Sequence, residues 1–209
     1  MTGLELVTGG ARSGKSTFAE RRAAELAAVP QGRPVAYVAT AVITDAEMAE
    51  RIEHHRARRP AGWQTVEAPE DLAAALETAA RSGGVVLVDC LAVWAANRLL
   101  ALGDPKDDAG GAAGTRSAWR DRVAGLESDM ARELDAGIDA CSASGADIVL
   151  VTNEVGLGIV PATPLGRAYR DLLGRLNQHV AGRARAVHLV IAGIAVNLIQ
   201  FPHSSTRRP

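Results

Sequence analysis

Gly9-Gly10-Ala11-Arg12-Ser13-Gly14-Lys15-Ser16 follows directly on the apolar run Leu4–Thr8 and precedes a helical pattern over Lys15–Ala28. A strand, a glycine-rich turn and a helix in that order make a phosphate cradle. The glycines let backbone N–H groups converge on phosphate oxygens, and the helix N-terminus adds positive potential. Lys15 can reach the β- and γ-phosphates of a nucleoside triphosphate, and the Ser16 hydroxyl can ligate Mg²⁺. Arg12 either touches phosphate or faces solvent. The motif predicts a P-loop triphosphate site, and with it the fold class.

Outward from this turn, short β-type runs alternate with helical stretches. Strands are expected at Leu4–Thr8, Val35–Ala39, Val85–Val88, Ile148–Val151 and Val187–Ile191. Helices are expected at about Lys15–Ala28, Asp45–Arg58, Glu70–Arg81, Trp94–Leu102, Arg116–Ser142 and Leu165–Arg183. Such alternation implies right-handed crossovers and a mainly parallel sheet covered by helices, an α/β P-loop NTPase architecture. Val85–Val88 and Ile148–Val151 are almost wholly branched aliphatic, as strands buried on both faces are. Ile194–Ile199, just past Gly193, can fold back as an antiparallel edge strand. Residues 1–200 are expected to form a single domain, with a polar tail at 201–209 and a mobile, Gly- and Asp-rich loop at Gly103–Thr115.

Bulk properties narrow the function. A net charge of −1 gives no field to draw the chain to nucleic acid or an anionic membrane, and 3% aromatic content argues against base-stacking platforms. No apolar stretch is long enough for a transmembrane helix, and no secretory leader pattern opens the chain. Cys90 and Cys141 lack metal-ligand spacing and read as buried free thiols, which suits a reducing cytoplasm.

Two further segments carry chemistry. Val85–Val88 ends in Asp89, where a P-loop protein places its Mg²⁺-associated carboxylate; the plainer alternative is a helix cap or turn residue. Arg51-Ile52-Glu53-His54-His55-Arg56-Ala57-Arg58-Arg59-Pro60 concentrates two histidines and four cations before a proline. A solvated basic helix end would look similar. Helical phase, however, puts Met48, Ile52 and His55 on one face and turns His54 away. His55 is then either a buried core histidine or a group in a cleft, where neutral imidazole is a good nucleophile and like-charge repulsion from the arginines favours the neutral form. Thr152-Asn153-Glu154-Val155-Gly156-Leu157-Gly158 follows a buried strand, where doubly wound sheets place ligand loops. There Asn153 and Glu154 are substrate or metal contacts, or else the glycines shape a turn and Glu154 caps a helix. The Leu126, Met130 and Leu134 stripe is core or subunit packing.

The P-loop, the Arg51-Ile52…His55-Arg56…Arg59-Pro60…Trp63…Thr65-Val66-Glu67 segment, Asp89-Cys90-Leu91 and Val151–Pro161 together resemble the bifunctional adenosylcobinamide kinase / adenosylcobinamide-phosphate guanylyltransferases of cobalamin synthesis. The resemblance runs from about Leu4 to Leu198. It implies a RecA-like fold, a homo-oligomer (typically a trimer) and two reactions. A nucleoside triphosphate, ATP or GTP, phosphorylates the aminopropanol hydroxyl of adenosylcobinamide. GMP then passes from GTP to that phosphate through a histidine, whose matching position is His55. Nucleotide contacts map onto Gly9, Gly10, Ala11, Arg12, Ser13, Gly14, Lys15, Ser16, Ala39, Thr40, Ala41, Arg56, Ala57, Arg58, Arg59, Glu67 and Asp89, and Mg²⁺ onto Ser16 and Asp89. A Glu67 carboxylate suits the guanine edge, since it can accept from N1–H and N2–H₂. Asp89 departs from relatives that carry Glu there, though either acid serves a metal. A monofunctional small-molecule kinase would need the cradle without His55. A GTP-dependent switch would ordinarily carry Asn-Lys-x-Asp, which is absent.

Overall fold

The computed structural model describes residues 3–29, 32–43, 45–57, 59–103 and 113–200, without the side chains of residues 47, 48, 51, 54, 55 and 113–117. Arg58, most of the 103–115 loop, the 201–209 tail and the side chains of Met48 and His55 therefore lie outside the described residues. Strand β1 (Leu4–Gly9) runs into the P-loop, which opens α1 (Lys15–Ala28). There follow β2 (Val35–Ala39), α2 (Ala46–Ala57), β3 (Gln64–Glu67), α3 (Leu72–Ala80), β4 (Val85–Asp89), α4 (Leu91–Leu100), α5 (Ala113–Ala143), β5 (Asp147–Val151), α6 (Pro164–Arg183), β6 (Ala186–Ile191) and β7 (Ile194–Asn197).

The seven strands form one sheet in the order β3-β2-β4-β5-β1-β6-β7. Every pairing is parallel except β6 with β7, which turns back at Ala192-Gly193 as the sequence predicts. The aliphatic runs of β4 and β5 lie in the middle of the sheet, all of β5 and all but Asp89 of β4 being buried. A strand covered on both faces has no polar side to alternate with. Helix α1 packs against β1, β4 and β5, while α3, α5 and α6 pack side by side. The Met130 and Leu134 stripe of α5 is fully buried in the core of this chain. Both cysteines are buried and free.

Four features differ from the sequence reading. Strand β3 was not expected: three of its four residues are exposed, because it is the sheet edge and buries only part of Val66. An edge strand with one covered residue has no hydrophobic period to read. Helix α4 begins at Leu91 rather than Trp94, with Leu91 and Ala92 driven into the core. Residues 198–200 leave the edge strand as a 3₁₀ turn. Helix α5 already includes Ala113–Thr115, so the loop is shorter than its composition suggested.

A buried ionic cluster anchors the other end of the β1–α1 unit. Glu5 on β1 is almost wholly enclosed. Arg22 of α1 donates to both its carboxylate oxygens at 2.8 and 2.9 Å, and Arg185 and His188 complete the shell. Burial alone would raise the Glu5 pKa, but the hydrogen bonds from His188, Arg22 and Arg185 outweigh it and hold the carboxyl well below its usual range.

Candidate nucleotide site

The P-loop lies at the C-terminal edge of the sheet. Gly14 adopts φ +93° at the N-cap of α1, and Arg12 also lies in the left-handed region at φ +54°. Only glycine reaches such angles without steric cost. The loop is held from the far hairpin as well: Gly193 N–H donates to the Ser13 carbonyl at 2.8 Å, in the β6–β7 turn. Lys15 Nζ donates to the Gly10 carbonyl at 3.1 Å, across the mouth of the loop.

In the sheet, β5 separates the P-loop strand β1 from the Asp89 strand β4. Their C-terminal ends open on one cleft of about 880 Å³. The residues from Ala11 to Thr17 form one wall. Ala39, Ala41, Glu67 and Asp89, at the ends of β2, β3 and β4, form the floor and the opposite side. Ile52 and Arg56 of α2, four residues apart and so on one face, line it too, as does Arg59 beyond the helix. Position 55 lies on this helix, about 60° around it from Ile52 by the α-helical repeat.

Among the expected nucleotide contacts, Gly9, Gly10, Thr40 and Ala57 are not part of the cleft lining. Thr40 is fully buried and works as a tie: its hydroxyl accepts from Cys90 N–H at 2.8 Å and donates to the Cys90 carbonyl at 2.9 Å. Asn97 Nδ2 in turn donates to the Thr40 carbonyl. The end of β2 is thereby locked to the segment that carries Asp89.

Asp89 is not a helix cap. Cys90 occupies that position at α4, without a side-chain cap bond, and Asp89 accepts from the Tyr37 hydroxyl at 2.8 Å. Burial, then the Asp89 charge, raises the Tyr37 pKa, so the phenol stays a neutral donor. The Arg59 guanidinium lies 3.4 Å from the centre of the Tyr37 ring and donates to Thr65 Oγ1. A stacked, tethered guanidinium of this kind is held in place at little further entropic cost. Arg56 bridges to Glu67 at 2.6 Å, across the gap between α2 and β3. Cys90 is a poor nucleophile, since burial and the adjacent Asp89 push its thiol up to about 12.

The Thr152–Pro161 segment divides. Asn153 lines the cleft. Glu154 folds onto its own turn, accepting from Gly156 N–H at 2.5 Å, and does not cap α6; that cap is Thr163, which accepts from Gly166 N–H at 3.1 Å.

The cobinamide kinase / cobinamide phosphate guanyltransferase family model matches residues 5–198, so it spans every element that lines this cleft. The chain belongs to this family. Curated members include the bifunctional adenosylcobalamin biosynthesis protein CobU of Escherichia coli (strain K12), 42% identical over 193 residues, covering 92% of this chain and 98% of that one. The CobU protein of Salmonella typhimurium is also 42% identical with the same coverage. The CobP protein of Pseudomonas aeruginosa is 42% identical over 93% of this chain and 96% of its own. Among solved structures, a KaiC-like protein from Pyrococcus horikoshii superposes with TM-score 0.43 at 14% identity, covering 90% of this chain and 71% of that one.

Sequence reasoning pointed to the P-loop, Glu67, Asp89 and the α2 segment, parts of which line this cleft, but missed Tyr37 and the bond from the Gly193 turn to Ser13. Tyr37 carried the one available signal, a polar aromatic inside an otherwise aliphatic strand. Among the described residues, no group of three or more His, Cys, Asp or Glu side chains is placed to hold a metal, and no helix is long and apolar enough to cross a membrane.

Proposed function

We propose that this enzyme phosphorylates adenosylcobinamide and then transfers GMP from GTP to the product, releasing pyrophosphate and giving adenosylcobinamide-GDP. Membership of the family carries the reading. The supporting geometry is one cleft that joins a P-loop, an acid beside it, and a helix face carrying Ile52 and Arg56. In the GMP step His55 attacks the α-phosphorus, and pyrophosphate leaves with the electron pair of the broken P–O bond. The cobinamide phosphate then displaces GMP from the imidazole. Two displacements replace one difficult transfer.

Lys15 and the loop N–H groups, with Arg12, stabilise the charge on the leaving phosphates. Ser16 and Asp89 supply a hydroxyl and a carboxylate to the same cleft, a hard oxygen donor set that fits Mg²⁺ with phosphate and water completing its shell. Bound there, Mg²⁺ neutralises phosphate charge. Glu67 faces the guanine edge, and Arg56 and Arg59 form the basic side of the nucleotide site. By family resemblance the enzyme is a cytoplasmic homotrimer, which sedimentation at micromolar concentration tests: a monomer there rejects it.

The decisive experiment mixes purified protein with GTP labelled at the α-phosphate. The expected result is acid-labile label on wild type and none on His55→Ala. Label that survives acid, or that persists in the variant, excludes the covalent step.

A further inference from the structure

Beyond Val151 the chain continues alongside β1. Thr152 N–H donates to the Val7 carbonyl at 2.9 Å, and Glu154 N–H to the Gly9 carbonyl at 3.1 Å. Asn153 thus stands level with the first P-loop glycine, just past the end of the strand that lies between the P-loop strand and the Asp89 strand. It is fixed from behind: Asn177 Nδ2 of α6 donates to the Asn153 carbonyl at 3.0 Å, and Asn177 Oδ1 accepts from the Thr152 hydroxyl at 2.7 Å. Asn153 lines the cleft, and its side-chain Oδ1 is buried with no hydrogen-bond partner. A protein seldom leaves a buried acceptor unmatched in a rigid setting unless something else supplies the donor.

We propose that Asn153 Oδ1 accepts a hydrogen bond from the attacking hydroxyl of the corrinoid's aminopropanol arm and aims that oxygen at the γ-phosphorus. This rests on the kinase activity proposed above. The nucleotide's phosphates are acceptors and cannot satisfy Oδ1, whereas the second substrate's hydroxyl can. A neutral amide also suits a position beside the triphosphate better than a carboxylate, which phosphate charge would repel. The neighbouring acids have other partners: Glu154 holds Gly156, and Asp89 holds Tyr37. In the step itself the hydroxyl oxygen bonds to the γ-phosphorus, and the bond from that phosphorus to the β,γ-bridging oxygen breaks. ADP leaves with the electron pair. The hydroxyl proton passes to a phosphoryl oxygen and then to solvent, while Asn153 orients the nucleophile without taking its proton.

The test follows phosphorylation of adenosylcobinamide by ATP under saturating substrate. For Asn153→Ala the expected kcat is about 100-fold below wild type, the scale of a lost positioning contact. KM for ATP is expected to stay within about twofold, because the contact is made to the acceptor substrate. Asn153→Asp keeps both the shape and an acceptor oxygen, and although its charge opposes part of the gain beside the phosphates, it should recover to within about tenfold of wild type. Thermal midpoints of both variants check that they fold. Wild-type kcat in Asn153→Ala overturns the proposal. So does an Asn153→Asp variant no faster than Asn153→Ala, which would mean that the side chain donates to phosphate instead. Wild type that forms no cobinamide phosphate overturns the kinase reading itself, a separate result.

Discussion

Gly9 and Gly10 are adjacent and look equivalent in the motif, but the structure separates them. A Cβ built on Gly9 would stand 2.4 Å from the Val190 carbonyl oxygen and 2.7 Å from Ser13 Oγ. One built on Gly10 meets nothing within 4 Å. Ser13 can rotate its hydroxyl away, but Val190 is backbone of β6, directly paired with Gly9. For the carbon to reach even 3.0 Å, β6 must retreat by at least 0.6 Å. That movement pulls on the hairpin whose Gly193 N–H holds the Ser13 carbonyl. Overpacking of this kind costs about 1–3 kcal/mol, and the entropy Ala removes from the unfolded chain returns about 0.4–1. A net loss of about 1.5 kcal/mol is therefore expected for Gly9→Ala, or a midpoint lower by about 3–6 °C in a chain of this size. Gly10→Ala should be neutral, or stabilising by up to about 1 kcal/mol. Urea titrations of both variants measure the difference as a change in midpoint at constant slope. Equal stability of the two variants would show that β6 is not the wall placed here behind the loop.

Two other perturbations probe groups that hold the site in place. Tyr37→Phe keeps the ring under Arg59 but removes the donor to Asp89. The Mg²⁺ concentration for half-maximal cobinamide phosphorylation should rise by about tenfold, as when a group supporting a metal ligand is lost; an unchanged requirement separates Asp89 from the metal. Glu5→Gln removes the buried charge that Arg22 and Arg185 share, and should cost about 2–3 kcal/mol at neutral pH, below the range for fully buried pairs because both arginines are about one-third exposed and keep Glu25 and Asp147 as partners. The folded pKa of Glu5 is depressed, so its contribution is complete above the unfolded value near 4.5 and is lost as pH falls below it. The stability gap between wild type and variant should be constant above about pH 5.5 and narrow below about pH 4.5, by urea denaturation across that range; a gap that widens in acid reverses the assignment.

The order of strands and helices was largely legible because its signals are local. A glycine-rich turn after an apolar run, or four branched aliphatics before an acid, can be read within ten residues. The antiparallel return of β7 was legible for the same reason, as Gly193 sits between two apolar runs. What was hidden depends on residues far apart in the chain. The Tyr37–Asp89 bond joins two strands whose pairing no periodicity reveals, and the Gly193–Ser13 bond joins the last hairpin to the first loop. Glu154 and Asn153 were indistinguishable as neighbouring polar residues. Their backbone turn directs one onto itself and leaves the other in the cleft. Strand β3 left no trace because an edge needs only one covered side chain.

The proposed pair of reactions asks one cleft to act on two different phosphorus atoms of a triphosphate, and the walls are divided accordingly. Lys15 and Asn153 belong to the P-loop side, where the terminal phosphates sit in a P-loop protein. Arg56 and Glu67 belong to the α2–β3 side, the side of position 55. The bridge between Arg56 and Glu67 joins two half-exposed or more exposed side chains, and such a pair contributes only about 0–1 kcal/mol. A guanine edge bonding to Glu67 would therefore have little to displace, and would release a guanidinium beside the α-phosphate when a guanine nucleotide is bound. An adenine offers the same carboxylate only its N6 amine, against the paired N1–H and N2–H₂ of guanine, so it would compete less well with the bridge. On this reading a weak surface ion pair, which adds little to the fold, is where the enzyme would tell its two nucleotides apart.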